Sequence, residues 1–593
     1  MTVEDKTQHQ HQHQPSTSAV KMVPHPIKGK SNKRPERIEI GDGLVMRWST
    51  KEDAQNVADL LAEAFRWAPM GVEIAEDEDP KPNEYVREAA KRVLRGNSGV
   101  MTEYDYALVE NTLAPKGRNP LVAAVSLQFS PGYYGKVFLQ YGKPEAVAAH
   151  PDYRSKGLIR RLFLEMIHPA SDQRGDVIQI IPGIPHFYLQ FGYEYAIGIR
   201  APRRLDDDAI PPLPDHETVE KGGQGEPFQL RVPGLDDIPY LVKMSTPEKM
   251  MDKAELGTLY DEGYWRYNIH DAIVTAESKT DISREHRIIV DSKTGKDCGV
   301  VMTNGERMLL LSLFVLEEGY SYREALYPVF RQMVAISMEP TVWELKQQKD
   351  NEANEEVERK LEGFKEVMDG SKSIKEAVQD EEQKEQQAEE EKKEEDKEAA
   401  PVAQTKKKRT LGLVLDPQHP VTKLMTSRSQ AMTFKHKFYT RIPSYAKFIQ
   451  TIAPTLEERL ANSCLAGITV TWQFDFFRKV LGSSGKGLEV VFEGGKIVSA
   501  SDDWVLPSPQ EKMIAARERI AKAKEENRPD VKPLIFEAKF APLTFTRLLV
   551  GDMTIDQMTD VYGECEVSSG DEAVLMLDIL FPKQSFYFDL FWW

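Results

Sequence analysis

Cysteine is scarce in this 593-residue chain: Cys298, Cys464 and Cys565 are all it has, far apart and without metal-ligand spacing. Such a pattern excludes a disulfide framework and a cysteine-based metal site, and it suits a reducing compartment. No apolar run approaches the roughly 20 residues that a membrane span needs. The opening MTVEDKTQHQ lacks the apolar stretch of a secretory signal. Positive charge is not in excess either, and a formal net charge of −17 argues against nucleic acid as the partner. The expected location is therefore cytoplasmic. What is present is 40% hydrophobic residues, enough for ordinary cores, in a length that a prior of about 150 residues per domain divides into as many as four units.

Residues 1 to 38 are polar and biased, with His9, His11 and His13 alternating with glutamines. Nothing there could form a core, so a disordered tail is expected. Order is expected from a strand at Leu44–Trp48. Ser49 and Glu52 then have capping-box spacing, and Val57, Leu60, Leu61, Ala64 and Phe65 make one apolar helical stripe. Strands near Tyr106–Glu110 and Leu121–Phe129 follow.

The densest chemistry lies between Glu145 and Glu194. It reads as a strand (EAVAAHPDY), a basic turn (RSKGLI), a helix (RRLFLEMI), a strand (VIQII), a break at Pro182-Gly183, and HFYLQFGYE. Arg154, Lys156 and Gly157 stand where strand passes into helix. Gly157 allows close backbone approach, and the free N–H groups of a helix start face outward with the positive end of the helix dipole. With two cations beside them, this suits a pyrophosphate. The competing reading of an isolated R-x-x-G is a plain basic turn; the order of the surrounding elements favours the phosphate site.

These residues resemble the GNAT N-acetyltransferases, whose Gln/Arg-x-x-Gly-x-Gly/Ala turn cradles the acetyl-CoA pyrophosphate and which close on an aromatic-Gly-aromatic segment such as FYLQFGYE. The sequence departs from that turn at Ile159. Arg154-Ser-Lys-Gly157-Leu158-Ile159 is instead similar to the Arg-x-x-Gly-Leu-Leu turn of the enhanced-intracellular-survival (Eis) type. The resemblance implies an α/β (α+β) fold with a catalytic domain over residues 39–205, a linker over 206–227 and a second GNAT-like domain over 228–437. In that second unit Glu317-Glu318-Gly319 replaces the basic turn, and two carboxylates would repel a pyrophosphate, so it is expected to pack rather than catalyse. The second unit carries a charged insertion at 345–409. From Lys346 to Ala400 there are 20 acids against 11 Lys or Arg, which predicts a solvated helix or disorder. Nuclear import through Lys406–Arg409 is left open, with a charge-balancing flank the blander reading.

Residues 438–593 resemble the sterol-carrier-like domain of the Eis type. Strands are expected near Ile468–Phe474 and Leu488–Phe492, with a charged helix from Pro509. Segments at Leu543–Leu549 and Ile555–Met558 and a last strand at Val574–Ile579 complete the unit.

The resemblance also assigns a site. Pantetheine would lie along Val147, Ala148 and Ala149, with Gly183 and Ile184 opposite. Arg154, Ser155, Lys156, Gly157, Leu158, Ile159 and Arg160 would hold the pyrophosphate. Tyr188 matches the tyrosine that protonates the leaving thiolate, against the blander reading of a packing aromatic. A phenol near pKa 10 and a thiol near 8.5 are close enough for that transfer. For the base, the motif offers no carboxylate except Glu194, read as a surface position, while His150 and His186 are candidates more often structural. In the Eis type the base is the chain's own C-terminal carboxylate, here that of Trp593, at the end of six aromatics in eight residues; the alternative is an ordinary docked terminal strand. Acetyl-CoA is the implied co-substrate, with no metal, and the implied acceptor is a primary amine on a lysine side chain or a small polyamine-like molecule. Self-association is left open. The rival from another class is a non-catalytic protein holding an apolar ligand in the C-terminal unit.

Overall fold

The computed structural model describes residues 37–66, 82–94, 101–205, 209–211, 225–269, 284–304, 308–338, 410–433, 436–477, 487–525, 533–541 and 543–588. The polar tail, the charged insertion and the chain end at Trp593 lie outside the described residues.

The first sheet opens with β1 (Ile38–Gly41), which the sequence reading did not anticipate, and continues through β2 (Leu44–Trp48), β3 (Tyr106–Asn111), β4 (Leu121–Tyr134) and β5 (Val137–Ala149) as antiparallel neighbours. All fourteen residues of β4 are buried, which explains its nearly unbroken apolar sequence. One face is covered by α1 (Ala54–Ala64) and α2 (Glu84–Leu94), where Val57, Leu60 and Leu61 pack on Tyr106, Leu108 and Ala124. The cap of the first helical turn is shifted by one residue from the spacing noted above. The Ser49 hydroxyl donates to the Glu103 carbonyl (2.6 Å), and it is the Thr50 N–H that reaches the Asp53 carboxylate at 2.9 Å.

The other face is covered by α3, which is α-helical over Leu158–Arg161, π-wound over Leu162–Ile167 and α-helical again over His168–Arg174. Pro169 has no N–H for the carbonyl four residues earlier, and the wide turn stands where that bond is missing. Leu158, Leu162, Phe163 and Ile167 pack there against Val125, Leu127 and Phe191.

Beyond β5 comes β6 (Ile178–Ile181), parallel to it, and then a long-range insertion. The strand Lys437–Arg441 sits between β6 and β7 (Glu194–Gly198), antiparallel to both. The position 438, read as a domain start, thus falls inside a strand of the first sheet.

The second sheet contains β8 (Arg203–Leu205), β9 (Phe228–Arg231), β11 (Arg284–Asp291), β12 (Asp297–Asn304), β13 (Met308–Leu316), β14 (Thr410–Leu413) and β15 (Gln430–Ala431). The short strand β10 (Leu256–Thr258) leaves it to pair with β4. Helices α4 (Ile238–Met244), α5 (Tyr322–Met338) and α6 (Pro420–Leu424) accompany this sheet. Glu317, just after β13, is held by Lys243 (2.6 Å) and Lys249 (3.7 Å).

After the inserted strand β16 (Lys437–Arg441) and α7 (Tyr445–Ala461), the third sheet is built from β17 (Val470–Phe476), β18 (Gly487–Glu493), β19 (Lys496–Trp504), β20 (Ile535–Phe540) and β21 (Glu566–Val567). The charged helix is α8 (Pro509–Glu525), and α9 (Phe545–Leu549) and α10 (Ile555–Val561) follow. The expected last strand at Val574–Ile579 is instead a helix, α11 (Asp571–Leu580). Ala573, Met576, Leu577 and Leu580 are buried at helical spacing, and Asp571 and Glu572 sit in its first turn, where the dipole favours them. A short apolar run does not by itself separate strand from helix.

The described chain ends with β22 (Phe586–Tyr587), parallel to β10. One hydrophobic core joins the third sheet and α7 to Tyr134, Tyr141 and Ile178 of the first sheet and to Phe586. The first and third units therefore share one core, and the second is tied to the first through β10, which pairs with β4.

Candidate active site

The site begins with a disagreement between strand lengths. Strand β5 runs to Ala149, yet its parallel pairing with β6 covers only Tyr141↔Ile178 and Gly142↔Gln179. Past Gly142 the two strands have no ladder between them among the described residues, so a wedge opens between Val147–Ala149 on one side and Ile181–Ile184 on the other. Its base is tied by buried charge. Arg174 donates to Asp176 and to the Gln128 carbonyl (2.9 Å), and Gln140 donates to Asp176 at 2.7 Å. A register shift lies between Ala124 and Ser126, opposite Ala146, whose φ is +52°. A non-glycine residue in that region bends the strand at some cost in energy.

At the open end of the wedge the chain turns into α3. Ser155 and Gly157 both have positive φ, +61° and +73°, and residues Arg154 to Gly157 are exposed. Nothing lies within 4 Å of where a Gly157 side chain would start. Arg154 Nε reaches the Ala149 carbonyl at 3.4 Å, Lys156 Nζ stands 4.4 Å from the Tyr153 ring centre, and Arg160 donates to the Gln190 carbonyl at 3.4 Å. The turn is thus a concave run of backbone at a helix start with three cations around it, the arrangement that binds anions. Leu158 is buried in the core below, Ile159 is half-buried, and Ile184 across the wedge is 65% exposed.

Tyr188 closes the inner side. It is 4% exposed and boxed by Phe163, Phe187, Phe191, Tyr193 and Tyr439, with ring centres 5.1 to 6.3 Å away. Burial raises the pKa of its phenol, and the charge of Glu145 pushes the same way. Its hydroxyl has no hydrogen-bond partner among the described residues. Gly183 makes the room: a Cβ there would lie 2.1 Å from Tyr188 Cε2.

The expectation that Glu194 is the motif's one carboxylate is corrected on two counts. Glu145 lies on β5 itself, its side chain 11% exposed and 2.8 Å from the fully buried Lys143. Glu194 is not a surface residue either; burial against the third unit raises its pKa. The alternation KPEAV, with two charges inside an apolar strand, was the available signal for Glu145. The two histidines have local structural jobs. His150 Nδ1 accepts from the Asp152 N–H (3.3 Å) at a short helical turn, and His186 is an exposed residue with φ +64° whose N–H donates to Tyr439 Oη at 2.6 Å. Tyr439 could not be found from sequence, because it arrives on the inserted strand β16.

Trp593 lies outside the described residues. The chain leading to it is anchored: Tyr587 Oη donates to the Ser312 carbonyl (2.7 Å) and is 2.9 Å from Tyr260 Oη, while the Phe588 ring is 5.4 Å from Tyr141 at the base of the wedge. Among the described residues no group of three or more His, Cys, Asp or Glu is placed to hold a metal ion, and no helix is long and apolar enough to cross a membrane.

No family model and no curated protein matches the sequence. Solved structures do. A conserved protein of unknown function from Enterococcus faecalis V583, described as a probable N-acyltransferase, matches over 92% of this chain and 99% of its own, with a TM-score of 0.52 at 11% identity. A GCN5-related N-acetyltransferase from Anabaena variabilis matches over the same shares, 92% and 99%, with a TM-score of 0.50 at 11% identity. Eis1 from Mycobacterium abscessus reaches a TM-score of 0.46 at 10% identity, over 91% and 98%, too low to carry weight. At these identities the likeness concerns the fold alone: a mixed α/β fold similar to those two structures across nearly the whole chain.

Proposed function

We propose that this chain is an acetyl-CoA-dependent N-acetyltransferase that transfers acetyl to a primary amine by direct attack in a ternary complex. The observation that carries the reading is the wedge between β5 and β6, opening onto the exposed left-handed turn at Ser155–Gly157. A thioester on a long pantetheine arm needs unpaired strand edges along its length and an anion cradle at its far end. Backbone groups of Val147, Ala148 and Ala149, facing Gly183 and Ile184, serve the first need. Arg154, Ser155, Lys156, Gly157, Leu158, Ile159 and Arg160 serve the second.

The chemistry needs one proton removed from the incoming ammonium and one delivered to the departing sulfur. As the amine nitrogen bonds to the carbonyl carbon and the C–S bond breaks, Tyr188 gives its phenolic proton to the sulfur, and the second proton that the nitrogen sheds on becoming an amide restores the phenol. Burial raises the Tyr188 pKa, and the same dry surroundings raise the basicity of a thiolate formed beside it, so the transfer stays matched. The ammonium proton goes to the carboxylate of Trp593, a role supported by the anchoring of Tyr587 and Phe588 and by the resemblance to the Eis type. The third unit is read as sterol-carrier-like. Expected acceptors are lysine side chains or small polyamines, and the expected location is cytoplasmic.

The test is calorimetric titration with acetyl-CoA, followed by an amine screen that reads thiol release. Micromolar binding and amine-dependent release are expected. A chain that does not bind acetyl-CoA, while its third unit takes up an apolar ligand, would overturn the reading in favour of a non-catalytic carrier.

A further inference from the structure

The loop that carries Tyr188 is held from outside its own unit. It leaves β6 at Ile181, passes Gly183 and reaches His186, whose φ of +64° is uncommon for a residue with a side chain and is held more firmly under a constraint. The constraint is visible. The His186 N–H donates to the hydroxyl of Tyr439 at 2.6 Å, and the Tyr439 ring lies 5.4 Å from that of Tyr188 and 4.8 Å from that of Tyr195. Tyr439 is itself 2% exposed and fixed by two ladders, opposite Ile181 in β6 and Tyr195 in β7. Behind it, Arg441 on the same strand makes a two-point contact with Asp172 of α3, at 2.7 and 2.9 Å. Strand β16 thus backs β6 and reaches the loop, β7 and α3, although it stands about 250 residues further along the chain than the loop it holds.

We propose that Tyr439 is a positioning residue for the transfer step: its hydroxyl pins residue 186 in the left-handed conformation and its ring backs Tyr188, so that the phenol is aimed into the wedge. This rests on the reading of Tyr188 as the proton donor. It also makes the first unit dependent on a strand supplied after the second, so residues 39–205 alone would lack the wall that orders their own loop.

The test uses the full chain. Tyr439→Phe removes one oxygen and keeps the ring; kcat should fall about tenfold or more, the scale for a misaimed group, with the Kd for acetyl-CoA within about twofold of its original value, because the pyrophosphate turn is untouched. Tyr439→Phe combined with His186→Gly should regain most of the lost kcat, since glycine takes positive φ without needing the hydroxyl to hold it. A role in packing alone could not be rescued by a backbone change at another residue. Unchanged kcat in Tyr439→Phe overturns the proposal, as does a double variant no better than the single one. Tyr188→Phe, assayed alongside, separates the two levels. If it is inactive while Tyr439→Phe is normal, the positioning role alone fails; if it is fully active, the proton-donor reading fails and this inference falls with it.

Discussion

Adding one methyl group at residue 183 should disable the site without touching any polar atom. A Cβ on Gly183 would stand 2.1 Å from Tyr188 Cε2, 2.9 Å from Cδ2 and 3.0 Å from Cζ, where ordinary contact begins at 3.4 Å. The ring or the strand end must therefore give by about 1.3 Å. The ring cannot retreat, because Phe163, Phe187, Phe191, Tyr193 and Tyr439 surround it. Gly183 has no positive φ to maintain, so the effect of Gly183→Ala is steric and falls on the position of Tyr188. A displacement of about 1 Å in a reacting group costs on the order of 10²-fold, and overpacking a filled site costs roughly 1–3 kcal/mol of stability. The assay is steady-state thiol release with saturating acetyl-CoA, beside a melting curve. A Gly183→Ala protein with unchanged kcat would refute the placement of Tyr188 in the chemistry, whatever its Tm.

Reversing charge at the turn, Arg154→Glu with Lys156→Glu, should weaken acetyl-CoA binding by about 1–3 kcal/mol; calorimetry showing an unchanged Kd would remove the turn from the binding site. Appending a few glycines after Trp593 should lower kcat about 10²-fold and leave acetyl-CoA affinity intact; full activity would send the search for the base to Glu145, His150 or His186. His419, 1% exposed, has its pKa pushed down to about 4 by burial. Between that value and the ordinary 6.5 the unfolded chain binds a proton that the folded chain refuses, so stability is present above pH 6.5 and is lost as pH falls. The loss is about 2 kcal/mol by pH 5. His419→Asn keeps a cap for the helix starting at Pro420 and should flatten the decline of Tm between pH 7 and pH 5; an equal slope in the variant would contradict the buried neutral ring.

By itself the sequence determined what local chemistry can determine. Arg154, Lys156 and Gly157 were legible as an exposed basic turn into a helix, because such a passage needs a residue tolerant of positive φ, and Gly157 takes +73° there. The apolar stripe at Val57, Leu60 and Leu61 gave α1, and the Glu317-Glu318 pair was legible as a carboxylate turn after β13, where Lys243 and Lys249 hold Glu317. Where the signal was short, it misled. Val574–Ile579 looked extended, yet the burial of Met576 and Leu577 against the third sheet winds it into helix. Tertiary structure alone decided the rest, because it depends on which distant segments meet. The wedge exists because β5 outruns its pairing with β6, which no spacing of residues announces. Glu145 became a buried partner of Lys143 only when α1, α2 and α3 closed over both faces of the strands beside it. Tyr439 reached the Tyr188 loop only because β16 slides between β6 and β7, a pairing whose entropy of loop closure is repaid by the shared core of the first and third units.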